Sequence, residues 1–227
     1  MTDRQRVAVV TGAGGGIGAA IAQALAQAGD VVVILDPLVS LDGSRLLPPP
    51  EQTTTDRIIA SGGAARTSAV SVTDAPAVQQ LFAELADEFG GLDAVVNVAG
   101  ISRPTSYTGG SDRDWHEVLA VHLDGYRNVL GAAMPLMAAA GRGHILGVTS
   151  GSGWRAADTG AYGCAKRAVA ALTWQLGRHA PDGVIRKSTR RAIAPNVGER
   201  ARARARTRCR RRRAGASTRI PRRARAR

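Results

Sequence analysis

Five short runs of mostly apolar, often β-branched residues alternate with longer stretches rich in alanine and leucine over most of the chain. This alternation predicts βαβ units and a parallel sheet, and the nearly continuous apolar runs indicate strands that are buried on both faces. The predicted fold class is therefore α/β, a doubly wound parallel sheet in a three-layer αβα arrangement. The predicted strands are residues 6–10, 31–35, 64–71, 94–98 and 144–148.

The stretches between these runs carry the end signals of helices. Gly29 follows the first stretch at the position of a helix-terminating glycine, and Asp74 precedes Ala75 and Pro76, where an N-cap residue belongs. These signals agree with the hydrophobic pattern. The predicted helices are residues 17–28, 55–60, 75–89, 112–140 and 159–179.

The net charge of +13 is concentrated at one end of the chain. Residues 186–227 hold 17 arginines and Lys187 against one acid, Glu199, a net charge of +17, so the first 185 residues carry −4. The alternation also ends there, and no aromatic residue follows Trp174. Charge repulsion and scarce apolar side chains predict disorder. We therefore expect one globular domain, residues 1–185, and a basic disordered tail, residues 186–227.

The composition of this tail has two interpretations. Alanine and arginine dominate when GC-rich coding DNA is read in a wrong frame, which indicates a frameshift or truncation near Arg186. The alternative is a genuine basic tail that binds nucleic acid non-specifically by neutralising phosphates. Because the tail has neither interleaved aromatic residues nor a recognisable binding fold, nucleic acid is the less favoured partner.

Composition also bears on compartment and metal content. No run approaches the roughly 20 apolar residues of a membrane-spanning helix, and the first residues lead into a strand rather than the apolar core of a signal peptide. Cys164 and Cys209 form no disulfide framework, which fits a reducing cytoplasm. His116, His144 and His179 share no metal-ligand spacing with them, so we predict no metal site.

A glycine-rich turn stands directly between the first predicted strand and the first predicted helix. Its sequence is Thr11-Gly12-Ala13-Gly14-Gly15-Gly16-Ile17-Gly18. Glycines there let the backbone approach a pyrophosphate, whose charge meets the free N–H groups of the helix start. Asp36 ends the next strand, where a carboxylate accepts hydrogen bonds from ribose hydroxyls and repels a 2′-phosphate. This context predicts a site for NAD rather than NADP, and the alternative is a plain strand–helix turn.

The connection that follows Asp36 is unusually long. It runs over residues 37–54 and contains three consecutive prolines, residues 48–50. We interpret it as a surface loop without regular structure, near the adenosine end of the cofactor.

Tyr162 and Lys166 lie in the last predicted helix, four residues apart and therefore on one face. A free tyrosine has a pKa of about 10 and transfers protons poorly near neutrality, whereas a nearby cation favours its phenolate. Taken alone, such a pair is more often a tyrosine and a lysine that lie near each other on the protein surface by chance.

Together these motifs resemble the short-chain dehydrogenase/reductase family over residues 6–183. The resemblance rests on the glycine-rich turn, on Asn97-Val98-Ala99-Gly100 after the fourth strand, on a serine after the fifth strand and on the Tyr-x-x-x-Lys pair. It implies a Rossmann-type fold and a cytoplasmic oxidoreductase that moves hydride between NAD and a small secondary alcohol or ketone. It also implies a homo-oligomer, for which we favour a dimer.

The resemblance further implies roles for single residues. Tyr162 would be the general acid in reduction and the base in oxidation, Lys166 would stabilise its phenolate and bind the nicotinamide ribose, and Ser150 would hold the substrate oxygen. The residues implied to contact the cofactor are Gly12, Gly14, Gly16, Ile17, Gly18, Asp36, Val72, Asp74, Asn97, Ala99, Gly100, Tyr162 and Lys166.

Two departures from the family pattern affect the catalytic residues. His122 stands where the family has a catalytic Asn that orients a water through its main-chain carbonyl. It either keeps a catalytic part in the proton relay or is an ordinary helix histidine satisfied by local hydrogen bonds. The family's serine lies 13 residues before the tyrosine, whereas Thr149 lies 13, Ser150 12 and Ser152 10 residues before Tyr162; we favour Ser150.

A third departure concerns the sixth strand of the family. Val184 and Ile185 begin it, residues 187–191 interrupt it, and no seventh strand follows. Because unpaired charges are costly in a buried strand, we expect impaired catalysis. A cofactor-binding protein without turnover, or a protein that binds nucleic acid through its tail, are the alternatives.

Overall fold

A computed structural model describes residues 4–154 and 158–179 of this 227-residue chain. The predicted tail, the predicted domain boundary after residue 185 and the interrupted sixth strand all lie outside the described residues.

In the described part of the chain, five parallel strands form one sheet, as the sequence predicts. They are β1 (Val7–Thr11), β2 (Val31–Leu35), β3 (Ala64–Ser68), β4 (Ala94–Asn97) and β5 (His144–Gly147). Their order across the sheet is β3-β2-β1-β4-β5. β3 ends three residues earlier than predicted because it pairs with β2, whose last residue, Leu35, is opposite Ser68.

Within residues 4–154 and 158–179, six α-helices connect or follow the strands. They are α1 (Gly16–Gln27), α2 (Thr54–Ala60), α3 (Ala75–Phe89), α4 (Asp112–Leu119), α5 (Gly125–Ala140) and α6 (Gly160–His179). The predicted end signals are confirmed, since Gly29 has a φ of +93° after α1 and the Asp74 carboxylate accepts a hydrogen bond from the Ala77 N–H at the start of α3.

The core lies on both faces of the sheet. Alternate residues of β1 point to opposite faces, so that Val7 and Val9 pack in a cluster with residues of α3 and α5, while Val10 packs in a second cluster with residues of α1 and α2. The three-layer αβα arrangement and the Rossmann-type fold are thereby confirmed. After β3 the chain crosses back to β4, on the other side of β1, so the strand order reverses between β1 and β4, and cofactors bind at such a switch point.

The predicted helix over residues 112–140 is interrupted. A π-helical turn, Ala120–Asp124, separates α4 from α5, and the Gly125 N–H donates to the carbonyl of Ala120, five residues earlier. The prediction of one continuous α-helix is therefore wrong at this turn. Single π-helical turns inside α-helices are frequent at functional sites, and this one contains His122.

The long connection after Asp36 is a loop, as predicted, with no strand or helix between β2 and α2. Val39 and Leu46 form an isolated antiparallel bridge within it, and the Asp42 carboxylate accepts hydrogen bonds from the Ser40 hydroxyl and the Ser44 N–H. Short polar side chains that bond to nearby backbone stabilise tight turns, so this part of the loop is held by local contacts that the sequence analysis did not predict.

None of the helices in the described residues combines the length and the apolar character needed to cross a membrane. Among the same residues, no three His, Cys, Asp or Glu side chains are grouped so that they could hold a metal ion.

Candidate active site

A cavity of about 670 Å³ opens at the carboxyl ends of the central strands. Its walls come from the glycine-rich turn, the end of β2 and the segment after it, the segment before α3, the segment after β4, and α4 with its π-helical turn. The lining residues are Gly12, Gly15, Gly16, Leu35, Asp36, Pro37, Val39, Ser40, Leu41, Gly43, Ser71, Val72, Thr73, Val98, Ala99, Gly100, Ile101, Glu117, Ala120 and Val121.

The glycine-rich turn requires glycine for two separate reasons. Gly12 has a φ of +67°, and a Cβ there would lie 2.6 Å from the Cα of Ala99. A Cβ on Gly18 would overlap the carbonyl oxygen of Gly12. Gly15 and Gly16 instead face open space, next to the N-terminus of α1. The turn therefore packs closely on one side and leaves the helix start accessible to an anion on the other.

Asp36 is held rigidly at the cavity wall. Its Oδ2 accepts a hydrogen bond of 2.7 Å from the Gly14 N–H, and its Oδ1 accepts one of 2.8 Å from the Leu38 N–H. Each carboxylate oxygen has a further lone pair, so the group can still accept hydrogen bonds from ribose hydroxyls. Among the described lining residues, Asp36 and Glu117 are acidic and none is Lys or Arg.

Thr11 organises the junction between β1 and β4, a role that the sequence analysis missed. Its hydroxyl donates to Asn97 Oδ1 at 2.7 Å and accepts from the N–H groups of Val98 and Ala99, both at 3.1 Å. Asn97 is buried and uses its side chain in this bond rather than lining the cavity, whereas Ala99 and Gly100 line it. Thr11 and Asn97 lie opposite each other in the pairing of β1 with β4, so a prediction of that strand register would have revealed the pair.

The remaining predicted cofactor residues occupy different environments. Val72 is buried and lines the cavity, and its carbonyl accepts a hydrogen bond from the Asn128 side chain. Asp74 is exposed, caps α3 and is not among the lining residues. The Ile17 side chain is 65% exposed and is also absent from the lining. Contact of Asp74 or Ile17 with a cofactor stays a prediction.

Tyr162 and Lys166 share one face of α6 as predicted. The Lys166 ammonium is buried, donates a hydrogen bond of 2.9 Å to the Val148 carbonyl at the end of β5, and lies 5.8 Å from the Tyr162 ring centre. Burial lowers the pKa of Lys166 to about 8. The site therefore holds a poorly solvated cation beside a phenol.

His122 links the cavity wall to Tyr162. Its ring lies edge-on to the Tyr162 ring, with centres 5.1 Å apart, and its Nε2 lies 2.8 Å from the Ile101 carbonyl oxygen and 3.1 Å from the Ile101 nitrogen. Nε2 donates to the carbonyl in one tautomer of the ring and accepts from the Ile101 N–H in the other. Nδ1 is buried and finds no hydrogen-bond partner among the described residues. Burial, together with the charge of Lys166, lowers the pKa of His122 to about 4, so the ring is neutral at pH 7.

The three candidate hydroxyls precede α6. The Ser150 hydroxyl oxygen accepts a hydrogen bond of 3.2 Å from the Ser152 N–H, at the start of a short 3₁₀ turn, Gly151–Trp154, and its hydrogen remains available to donate. The carbonyl of Ser152 accepts a hydrogen bond from the Thr159 hydroxyl. Residues 155–157, which follow this turn, lie outside the described residues. The choice of Ser150 over Thr149 and Ser152 stays a prediction.

Comparison with known proteins agrees with this arrangement. The family model described as short chain dehydrogenase matches residues 6–188. An uncharacterised oxidoreductase of Staphylococcus saprophyticus is 33% identical over 174 residues, which are 76% of this chain and 71% of that protein.

Solved structures give the same result. A short chain dehydrogenase from Mycobacterium avium is 36% identical to this chain, with a TM-score of 0.69, and the match covers 79% of this chain and 65% of the other. For a carveol dehydrogenase from the same organism, in complex with NAD, the identity is 27%, the TM-score is 0.68, and the match covers 77% of this chain and 66% of the other. For a metagenomic short-chain oxidoreductase in complex with NADP, the identity is 31%, the TM-score is 0.66, and the match covers 76% of this chain and 75% of the other. This chain, with its glycine-rich turn and its Tyr162–Lys166 pair, therefore belongs to the short-chain dehydrogenase family of oxidoreductases.

Proposed function

We propose that the chain moves hydride between NAD and a secondary alcohol or ketone. The observation that carries this proposal is one continuous set of contacts from the cavity to the phenol. Ile101 lines the cavity and bonds His122, whose ring contacts Tyr162, and Tyr162 lies beside the Lys166 ammonium. A bound cofactor and a proton-transfer group would thus meet at one place.

The residues of the cavity fit a dinucleotide. The open side of Gly15 and Gly16 at the start of α1 suits a pyrophosphate, because free N–H groups and the helix dipole favour an anion there. Asp36 would accept hydrogen bonds from the adenosine ribose, and Ala99 and Gly100 would line the nicotinamide side. When bound, the nicotinamide ring would give or take the hydride.

The preference for NAD over NADP rests on charge. A 2′-phosphate beside Asp36 would meet a carboxylate, and the described lining has no basic side chain to pair with it. Two similar structures contain NAD and NADP respectively, so family membership leaves either cofactor open. Asp36→Ala should narrow the difference between the two affinities, which a titration of both nucleotides would measure.

Proton transfer would depend on Tyr162. In reduction its hydroxyl would donate a proton to the carbonyl oxygen of the substrate, and in oxidation the phenolate would accept the alcohol proton. The buried cation of Lys166 lies 5.8 Å from the ring centre, where it would attract negative charge that develops on the phenol during transfer. Ser150 would donate its free hydroxyl hydrogen to the substrate oxygen, where negative charge develops.

A turnover assay tests the proposal. We expect the absorbance of reduced nicotinamide to rise slowly when the protein is mixed with NAD and a panel of secondary alcohols, since the interrupted sixth strand predicts impaired catalysis. Rates that vanish in Tyr162→Phe would exclude a contaminating enzyme. Binding of NAD without turnover of any secondary alcohol would favour the alternative of a cofactor-binding protein.

We also propose a homodimer, as the resemblance to the family implies. Helices α5 and α6 are rich in alanine, which permits close packing of two helix pairs about a twofold axis. Light scattering should give about twice the chain mass of 23.6 kDa. A monomer or a stable tetramer would contradict this assembly.

A further inference from the structure

Residues 37–47 form a small hairpin, which we call the strap. Its two sides are joined by the Val39–Leu46 bridge and by a hydrogen bond of 2.7 Å from the Leu47 N–H to the Leu38 carbonyl. Its tip is fixed by the Asp42 carboxylate, whose pKa is lowered to about 2, chiefly by the hydrogen bond from Ser40. The strap is therefore an ordered element rather than a loose loop.

The strap crosses the cavity from one wall to the other. It begins beside Asp36, and Val39, Leu41 and Gly43 of the strap are among the lining residues. At the opposite wall the Leu41 carbonyl accepts a hydrogen bond of 2.8 Å from the Ser102 N–H. A Cβ on Gly43 would lie 2.9 Å from a methyl group of Ile101, so this contact is close.

Arg103 joins the tip of the strap to helix α4. Its Nε donates a hydrogen bond of 2.6 Å to the Asp42 carbonyl, one terminal nitrogen lies 2.9 Å from the Asp114 carboxylate, and the other pairs with Glu117. The Arg103 side chain is only 10% exposed, while the Asp114 and Glu117 side chains are partly exposed. Charge-assisted hydrogen bonds in a fixed fork are among the stronger polar contacts of proteins.

We propose that the strap closes over the bound dinucleotide and that Arg103 is the positioning residue that latches it, so that Arg103 controls how fast the cofactor leaves. This inference rests on the proposed function, since it takes the cavity as the cofactor site. The side chain of Leu41, an apolar residue of the cavity lining, is 79% exposed. A ligand beneath the strap would cover such a side chain and gain its apolar contact.

The latch has a kinetic signature of its own. Because the strap is docked on Ser102, it must open for entry as well as for exit. Loss of the latch should therefore raise both the association and the dissociation rate constants, and the equilibrium affinity should change less than either. General damage to the site would instead slow association while it speeds release.

The decisive comparison is Arg103→Gln with Arg113→Gln. Arg113 also pairs with Glu117, at 2.7 Å, but its side chain is 81% exposed and the pair lies within α4. Stopped-flow fluorescence would follow NADH binding, and its release on chase with excess NAD, in the full-length chain. We expect release to be about tenfold faster or more in Arg103→Gln, as for loss of a charge-assisted hydrogen bond, and to change less than about twofold in Arg113→Gln. Arg103→Lys should restore only part of the effect, because lysine lacks the planar fork.

Hydrogen exchange gives a readout without ligand. The Ser102 amide, which donates its hydrogen bond to the strap, should exchange faster in Arg103→Gln than in the native chain. In Arg113→Gln it should exchange at the native rate. Equal release rates and equal exchange in the two variants would overturn the latch while leaving the proposed function intact. Failure of the native chain to bind NADH would overturn the proposed function and, with it, the strap's role as a cofactor cover.

Discussion

At the scale of single residues, the phenol of Tyr162 stands between two basic groups that burial affects in the same direction. Burial disfavours the charged form of both and lowers the pKa of Lys166 to about 8 and that of His122 to about 4. At pH 7 Lys166 is therefore mainly a cation and His122 is neutral. The charge near the phenol then comes from Lys166, while His122 contributes its hydrogen bond to Ile101 and its contact with the ring.

Tyr162→Phe should remove nearly all turnover and leave NADH affinity nearly unchanged. Phenylalanine keeps the ring that contacts His122 and loses the transferable proton. Proton-transfer catalysis contributes about 10²-fold or more, so we expect kcat to fall by at least that factor. Steady-state rates and an NADH titration would measure the two effects. A variant that keeps more than about a tenth of the rate would exclude Tyr162 as the acid and base.

His122 should make the fold sensitive to acid. Its pKa falls from an ordinary 6.5 to about 4 in the fold, so between these values the unfolded chain binds a proton that the folded chain does not. The contribution of His122 to the free energy of unfolding is therefore complete above pH 6.5. It decreases as the pH falls from 6.5 to about 4, by up to about 3 kcal/mol.

The test is urea unfolding at pH 7.5 and pH 4.5 for the native chain, His122→Gln and His116→Gln. The loss of unfolding free energy between the two pH values should be smaller in His122→Gln, which cannot titrate. His116 is an exposed histidine of α4, so its variant should behave as the native chain does. Parallel losses in all three proteins would contradict the burial of a neutral His122.

At the scale of elements, local end signals proved more informative than periodicity. Gly29 and Asp74 predicted the end of α1 and the start of α3 because their roles depend on neighbouring residues alone. The π-helical turn Ala120–Asp124 was missed, since its residues contain no proline or glycine that would mark an irregular turn. The strap was missed because its docking depends on Arg103 and Ser102, which are distant in sequence.

Asp74 provides a test that separates a cap from a cofactor contact. Its carboxylate accepts a hydrogen bond of 3.1 Å from the Ala77 N–H and is not part of the cavity lining. We expect Asp74→Ala to lower the free energy of unfolding by about 1 kcal/mol and Asp74→Ser, which can still cap, to restore most of it. NAD affinity should change less than twofold in both. Weaker NAD binding in both variants, with the stability of Asp74→Ser preserved, would instead support the predicted contact with the adenine edge.

At the scale of the whole molecule, the alternation of strands and helices was sufficient to predict the α/β class, because only a parallel sheet buries such strands on both faces. It was not sufficient to predict the cavity. The pairing of Thr11 with Asn97 and the contact of His122 with Ile101 depend on strand order and on helix packing, which no local pattern contains. The glycine spacing nevertheless predicted which turn would face the cavity, because sterics at Gly12 and Gly18 are set within a few residues.

A titration of NADH and NADPH into the native chain, Gly12→Ala and Gly131→Ala would show whether a nicotinamide dinucleotide binds against the glycine-rich turn. Gly12 has a φ of +67° and no room for a Cβ, whereas Gly131 of α5 faces open space. We expect the native chain and Gly131→Ala to bind NADH more tightly than NADPH. Gly12→Ala, with unchanged circular dichroism, should bind NADH about tenfold more weakly or worse, the loss expected when a strained or overpacked site costs about 1 to 3 kcal/mol. Equal NADH affinity in all three proteins, or no binding by the native chain, would exclude binding against this turn.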